Sequence, residues 1–234
     1  GANLGIIFCF ICYLLGKKIY LIESFSGDVT FFGRLTSKFA DKVFIQWKEQ
    51  EKEYKNSIYV GPIYSKSKRE VHKISKNFIY VTVGTINHDF SRLIKKIDLL
   101  ISKGAFDVPV VSQIGYTKYI PKKQIYHRFV SRDLHSILLS SSQKIITHGG
   151  SSSIWQSIRT GNPTVIVPRL SKFGEHVNDH QLFLSRKMQE LGLSSYVIDI
   201  EDLEIYLKSA KIPKMESVKL EDIGIEGVMK NIDV

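Results

Sequence analysis

Short runs of β-branched and aromatic residues alternate along this chain with stretches whose apolar positions recur every three or four residues. The runs are Lys18–Glu23, Lys42–Trp47, Ser57–Val60, Phe78–Val83, Val108–Ile114, Lys144–Thr147, Thr164–Val167 and Tyr196–Ile200, and each predicts a strand. Between them, Phe90–Ser102 places Phe90, Leu93, Ile94, Ile97, Leu100 and Ile101 on one helical face, and Val177–Leu191 has similar spacing. A third helix is predicted after His148, ended by Gly161 and Pro163. Strands that alternate with helices imply parallel α/β units. The opening run Leu4–Leu15 is apolar throughout and predicts a buried or membrane-apposed helix.

The stretch Ser65–Asn77 interrupts this pattern with Lys and Ser, so a domain boundary is expected there. The expected division is a first α/β unit over residues 1–66, a second over 77–211, and a tail or final helix over 212–234. The chain opens on Gly1-Ala2-Asn3, which reads as the later part of a longer protein.

Composition narrows the function classes. With 234 residues, 43% of them hydrophobic, the chain is long enough for one large core or two small ones. The net charge of +10 favours an anionic partner: nucleic acid, a lipid surface or a phosphorylated ligand. The densest basic run, Lys66–Arg69 with Lys73 and Lys76, lies in the linker and has no interleaved aromatics, so nucleic acid is not expected as a partner. Cys9 and Cys12 have C-x-x-C spacing, but their apolar surroundings favour core thiols over a redox or zinc pair. Leu4–Leu15 falls short of the roughly twenty residues that cross a bilayer.

The segment richest in chemistry is Thr147-His148-Gly149-Gly150-Ser151-Ser152-Ser153, which joins a strand to a helix. Glycines let the backbone approach a ligand, and the serines with unpaired helix N–H groups suit a diphosphate. A tight turn with a serine N-cap is the plainer reading of the same residues. Neither a Walker loop nor a G-x-G-x-x-G dinucleotide motif is present. After the next strand comes Pro168-Arg169, then Glu175-His176-Val177-Asn178-Asp179-His180-Gln181, at the sheet edge where open α/β proteins bind ligands. Asn178, Asp179, His180 and Gln181 read as the start of a helix that offers groups to sugar hydroxyls. His176 and His180 are four apart, a spacing that suits a metal, but H-E-x-x-H is absent and spacing supplies no third ligand.

Taken in order, Tyr80-Val81-Thr82-Val83-Gly84-Thr85, Phe90-Ser91-Arg92-Leu93-Ile94, Gln113-Ile114-Gly115-Tyr116, Thr147-His148-Gly149-Gly150, Val167-Pro168-Arg169 and Glu175–Gln181 resemble the carboxyl-terminal domain of glycosyltransferase family 28. The likeness is to bacterial polysaccharide glycosyltransferases related to the catalytic subunit of the enzyme that adds the second N-acetylglucosamine to a lipid-linked oligosaccharide. Upstream, Ile22-Glu23-Ser24, Ala40-Asp41, Phe44-Ile45-Gln46-Trp47 and Tyr59-Val60-Gly61 resemble that enzyme's membrane-anchoring subunit, as in a fusion of the two.

The resemblance implies a GT-B fold of two Rossmann-like domains with parallel sheets: a partial amino-terminal acceptor- and membrane-associating domain over 1–66, and a carboxyl-terminal nucleotide-sugar-binding domain over 77–211. It also implies a UDP-sugar co-substrate with no separate cofactor or metal. Gly84 and Thr85 would line the site, Gly149 to Ser153 would hold the diphosphate, and His148, Arg169, Glu175, His176 and Asp179 would complete it. Gln156 stands where many relatives have a ribose-binding Glu, and His180 and Gln181 stand where relatives contact the donor sugar. The implied reaction is an inverting transfer to a lipid-linked acceptor at the inner face of a membrane, on the cytoplasmic side, with UDP leaving toward the helix N-terminus. Glu23, His88 and Asp89 are the candidate bases. Lys172, Arg169 and Arg92 are candidate supporting cations, each also readable as a solvated surface charge. Two alternatives stay open: a non-catalytic sugar-nucleotide-binding subunit that needs a partner chain, and a metal-dependent hydrolase built on His148, His176 and His180.

Overall fold

The computed structural model describes residues 2–63, 77–213 and 224–232. The stretch Ser65–Asn77 read as the linker lies, apart from Asn77, outside the described residues. Contacts divide the chain into two units, residues 1–68 with 218–234 and residues 69–217.

In the first unit the order is α1 (Ala2–Leu14), β1 (Tyr20–Ile22), α2 (Phe31–Thr36), β2 (Lys42–Ile45) and β3 (Ser57–Tyr59). The strands form a parallel sheet in the order β1-β2-β3, with Leu21 beside Val43 and Phe44 beside Ile58. Val43 and Ile45 point to one face, against Ile19, Ala40 and Tyr54, while Phe44 points to the other, against Val60 and Val228. Val228 belongs to the last helix of the chain, and the Lys42 ammonium donates to the Asn231 carbonyl at 2.7 Å. The tail therefore completes the first unit's core.

Helix α1 departs from the expectation of burial. Ile6, Cys9 and Cys12, three residues apart, are half-buried, and the two thiols pack on the Ile19 cluster. Its other apolar side chains face outward, with Phe8 at 68% and Leu14 at 66% exposure.

The second unit runs β4 (Ile79–Thr82), α3 (Ser91–Ser102), β5 (Val110–Gln113), β6 (Ile125–His127), α4 (Arg132–Ser141), β7 (Lys144–His148), α5 (Ser151–Ile158), β8 (Thr164–Val167), α6 (Gln181–Glu190), β9 (Ser195–Tyr196) and α7 (Leu203–Ser209), and the tail's α8 (Gly224–Lys230) returns to the first unit. All six strands are parallel, in the order β6-β5-β4-β7-β8-β9. The central strands β4 and β8 are buried at every residue, which is why they read as unbroken apolar runs. Phe90, Leu93, Ile94, Ile97 and Leu100 of the α3 segment pack with Val81, Val165 and α7's Leu203 and Leu207. Helix α6 starts at Gln181 and not at Val177, because Asn178 and Asp179 bond to nearby loop atoms.

Order follows from topology. The chain builds β5 and β6 outward from β4, then returns to place β7 on β4's other side. The crevice of an open α/β sheet lies at such a reversal, outside the carboxyl ends of the two strands. Here those ends are Thr82, followed by Gly84, and His148, followed by Gly149 and Gly150.

One buried carboxylate braces the loop into β6. Asp98 accepts hydrogen bonds from the Tyr119 hydroxyl (2.8 Å), the Lys122 and Lys123 N–H groups (2.6 and 3.1 Å) and the Gln124 amide (2.8 Å). Burial works to raise its pKa, but these bonds outweigh it and hold the carboxyl below the usual range. Asp98→Ala leaves four donors without their acceptor and is expected to cost about 3 kcal/mol in urea denaturation. Because the folded pKa is depressed, the wild type keeps this contribution above the ordinary carboxylate range and loses it as acid protonates Asp98.

Candidate functional site

Three loops meet at the β4/β7 reversal. The first follows β4, and Gly84 has φ +74°, a conformation that glycine adopts without strain. A β-carbon there would lie 2.4 Å from Cε1 of His148, and one at Gly150 would lie 2.4 Å from its Nε2. The His148 ring therefore fills the gap between two glycine backbones. Burial, followed by the Arg169 charge, pushes its pKa down to about 3. The Thr82 carbonyl opposes that shift without reaching hydrogen-bonding geometry with the buried Nδ1. His148 is a neutral wedge at physiological pH.

The second loop is Gly149-Gly150, which opens α5. Gly150 is the N-cap and no side chain caps the helix; its carbonyl accepts from Ile154 N at 2.9 Å to begin the ladder. The first-turn N–H groups at Ser151, Ser152 and Ser153 precede that bond and so have no partner within the helix. Ser152 is exposed, and its hydroxyl accepts from the Gln156 amide at 2.8 Å, which turns Gln156 back toward the helix start. An uncapped helix start backed by glycines is suited to an anion.

The third loop follows β8 and contains the largest difference from the sequence expectation. Arg169 is not a solvated charge: it is fully buried. Its guanidinium donates to the carbonyls of Val83 (2.9 Å), His88 (3.1 Å), Asp89 (3.0 Å) and Glu175 (3.4 Å), with the Phe90 ring 4.7 Å away. Burial lowers its pKa to about 10, against the pull of Glu175 and Asp89, so it stays protonated at neutral pH. Arg92 is likewise committed, donating from Nε and Nη2 to the two Glu175 oxygens at 2.8 and 2.9 Å. Glu175 Oε2 also accepts from Leu170 N at 3.0 Å. Of the three candidate cations, Lys172 alone is exposed.

Gln181 is also consumed internally. Its Oε1 accepts from Gly149 N (3.1 Å) and Arg169 N (2.9 Å), which fastens the β7 and β8 loops together. His176 and His180 meet edge to face with ring centroids 4.4 Å apart, and His88 joins His176 at 5.6 Å. Burial lowers the pKa of His180, and burial followed by His88 lowers that of His176. Asp179 accepts from Ser171 N at 2.7 Å, and Thr85 is exposed. Among the described residues, no group of three His, Cys, Asp or Glu side chains is placed to hold a metal ion.

The candidate bases differ in freedom. Asp89 accepts from Ser91 N, Ser91 Oγ and Lys118 N, bonds that hold its pKa low against the opposing effect of burial. Glu23, in the first unit, is buried after β1, with Oε1 taken by the Tyr54 hydroxyl and Oε2 facing Ser24 N at 3.3 Å. A β-carbon on Gly33 would come within 2.9 Å of Oε1. His88 is half-buried with its carbonyl, not its ring, held by Arg169.

Two parallel-sheet units, the second with its strand order reversing between β4 and β7, define an α/β protein of the GT-B glycosyltransferase type. The solved structures agree. Acinetobacter baumannii MurG superimposes with a TM-score of 0.62 at 16% identity, over 95% of this chain and 68% of its own. Arabidopsis thaliana UGT89C1, solved in complex with UDP, gives 0.59 at 13%, over 94% and 64%. The glycotransferase of kitacinnamycin gives 0.52 at 13%, over 84% and 53%. This chain thus spans between about half and two thirds of those proteins' lengths, and at such identities the likeness concerns the fold. A sequence search of curated proteins finds no match. The particular family is shown by sequence: residues 78–221 match the glycosyltransferase family 28 C-terminal domain, and the chain belongs to that family.

Proposed function

We propose that this protein is an inverting glycosyltransferase that moves a hexose or N-acetylhexosamine from a UDP-sugar to a lipid-linked acceptor in surface polysaccharide or glycan synthesis. The observation that carries the reading is the uncapped start of α5, which follows Gly149 and Gly150 at the strand reversal. The diphosphate would lie on the N–H groups of Ser151 to Ser153, and Gln156 would face the ribose as a neutral hydrogen-bonding group. In the transfer a base takes the acceptor hydroxyl's proton, the oxygen attacks the anomeric carbon, and the bond to the diphosphate breaks. The helix start then stabilises the charge on the departing UDP. That a UDP complex is known for one protein of this fold supports the choice of nucleotide.

Placement at the cytoplasmic face of a membrane is supported by α1. Ile7, Phe8, Leu14 and Leu15 are exposed and are followed by Lys17 and Lys18, while no described helix is long and apolar enough to cross a membrane. Apolar side chains with adjacent lysines suit an anionic lipid surface. Phe8→Ser with Leu14→Ser is expected to weaken co-sedimentation with anionic vesicles about tenfold, without changing thermal stability. Equal binding by wild type and variant would remove α1 from the account.

The competing reading, a non-catalytic sugar-nucleotide-binding subunit with a partner chain, is favoured by the hydrogen bonds that occupy both Glu23 and Asp89. One assay separates them. The purified chain is incubated with labelled UDP-sugars and a lipid extract; labelled lipid formed without added protein supports the transferase, and label transferred only after a partner is added supports the subunit.

A further inference from the structure

Three imidazoles gather at the site. His88 comes from the β4 loop, His176 and His180 from the β8 loop, and their rings stand in a row with centroid separations of 5.6 and 4.4 Å. Backbone anchors fix them there. Arg169 holds the His88 and Glu175 carbonyls, and Gln181, next to His180, holds the Gly149 N–H that begins the α5 loop. The cluster is thereby fastened to the loop assigned to the diphosphate.

The charges around the cluster are distributed unevenly. Arg169 is protonated and buried behind it, and Lys172 is exposed on its own loop. Glu175 is neutralised by Arg92. Asp89 is occupied by Ser91 and the Lys118 N–H, and Asp179 by the Ser171 N–H. His148, behind Gly84, is an uncharged wedge, and Asn178 contacts the His176 and His180 rings. Burial lowers the pKa of His180, and burial, His88 and Arg169 lower that of His176, so these two rings disfavour the charged form when nothing is bound. A diphosphate arriving with two negative charges reverses that balance, because a nearby anion favours the imidazolium form.

We propose that the His88–His176–His180 cluster takes up a proton from solvent when the anionic diphosphate of a nucleotide sugar enters the site, so that donor affinity is coupled to pH. This rests on the donor-site reading above. The cluster takes one proton and not three, since neighbouring imidazolium rings at these separations repel one another. The bound-state pKa is raised above the free-state value, so affinity climbs as pH falls through the bound-state pKa and levels off below the free-state one. For one full proton the climb is about tenfold per pH unit.

The test is calorimetric titration of the full chain with UDP-galactose and UDP-N-acetylglucosamine in buffers of contrasting ionisation heat, at several values from about pH 8 down to about pH 5.5. A sugar diphosphate diester has no titrating oxygen in this range, so any proton exchanged belongs to the protein. The expected result is a buffer-dependent heat that reports uptake of up to about one proton, reduced at least twofold in both His176→Gln and His88→Gln. Two single variants keep the test decisive should one fail to fold. Binding whose heat is the same in every buffer, or uptake unchanged in a folded variant, overturns the proposal and leaves the donor site standing. No binding by the wild type in any buffer rejects the donor site and the proposal together.

Discussion

Replacing Gly150 by Asp is expected to weaken UDP binding by at least about a hundredfold, some 2.7 kcal/mol. Two effects act together. A β-carbon at this position would sit 2.4 Å from Nε2 of His148, and the ring has little room to retreat because the same Cε1–Nε2 edge also lies close to Gly84. The added carboxylate also competes directly with the diphosphate for the start of α5. An acidic N-cap stabilises a helix, so α5 itself should survive and the loss should appear in binding more than in folding. Gly150→Ala separates the two causes, since it keeps the clash and omits the charge. Calorimetric titration with UDP measures both. A Gly150→Asp protein that binds UDP as the wild type does would place the nucleotide elsewhere.

Arg169→Met is expected to be the most destabilising single change in the second unit, at about 4 kcal/mol. The buried guanidinium satisfies carbonyls from the end of the β4 strand, from its following loop and from the β8 loop, through Val83, His88, Asp89 and Glu175. A methionine fills most of the volume and bonds to none of them. Because Glu175 keeps its two bonds from Arg92, the variant does not leave that carboxylate unpaired, which sets an upper limit on the loss. Arg169→Lys restores the charge, but a single ammonium lacks the planar fork that reaches separate carbonyls, so partial recovery is expected. Urea denaturation of the three proteins gives the ranking, and a loss below about 1 kcal/mol for Arg169→Met would contradict the bracing role.

What the sequence makes legible follows from what is local. The central strands announce themselves because parallel strands buried on both faces need unbroken apolar runs, as in Tyr80-Val81 and Thr164–Val167. Helix α3 is readable because its buried face recurs at helical spacing from Phe90 to Leu100. Strand β6 escapes detection because its three residues are all exposed at the sheet edge and have no alternation. The Ser-rich α4 likewise buries only Leu139 and Ser141, so no apolar stripe marks it.

The site shows the same division. Gly149 and Gly150 are readable as a close-approach loop from composition alone. The commitment of Arg169 and Gln181 to the protein interior is not, because their partners lie in other loops, the Arg169 contacts reaching back to Val83. A charged residue reads as solvated unless its distant carbonyl partners are known. The return of the tail to the first unit is equally invisible, since Lys42 and Asn231 meet across most of the chain length.

The β4/β7 edge is proposed as a UDP-sugar site. Its most direct test is a thermal-shift titration of the wild-type chain with UDP, UDP-galactose, UDP-N-acetylglucosamine, UDP-glucuronate and GDP-mannose. Uridine compounds are expected to stabilise the fold, by about 2.7 kcal/mol at a hundredfold excess over Kd, and GDP-mannose is expected to do so less. A chain whose melting temperature no nucleotide changes, or one that GDP-mannose stabilises as well as UDP does, would contradict it.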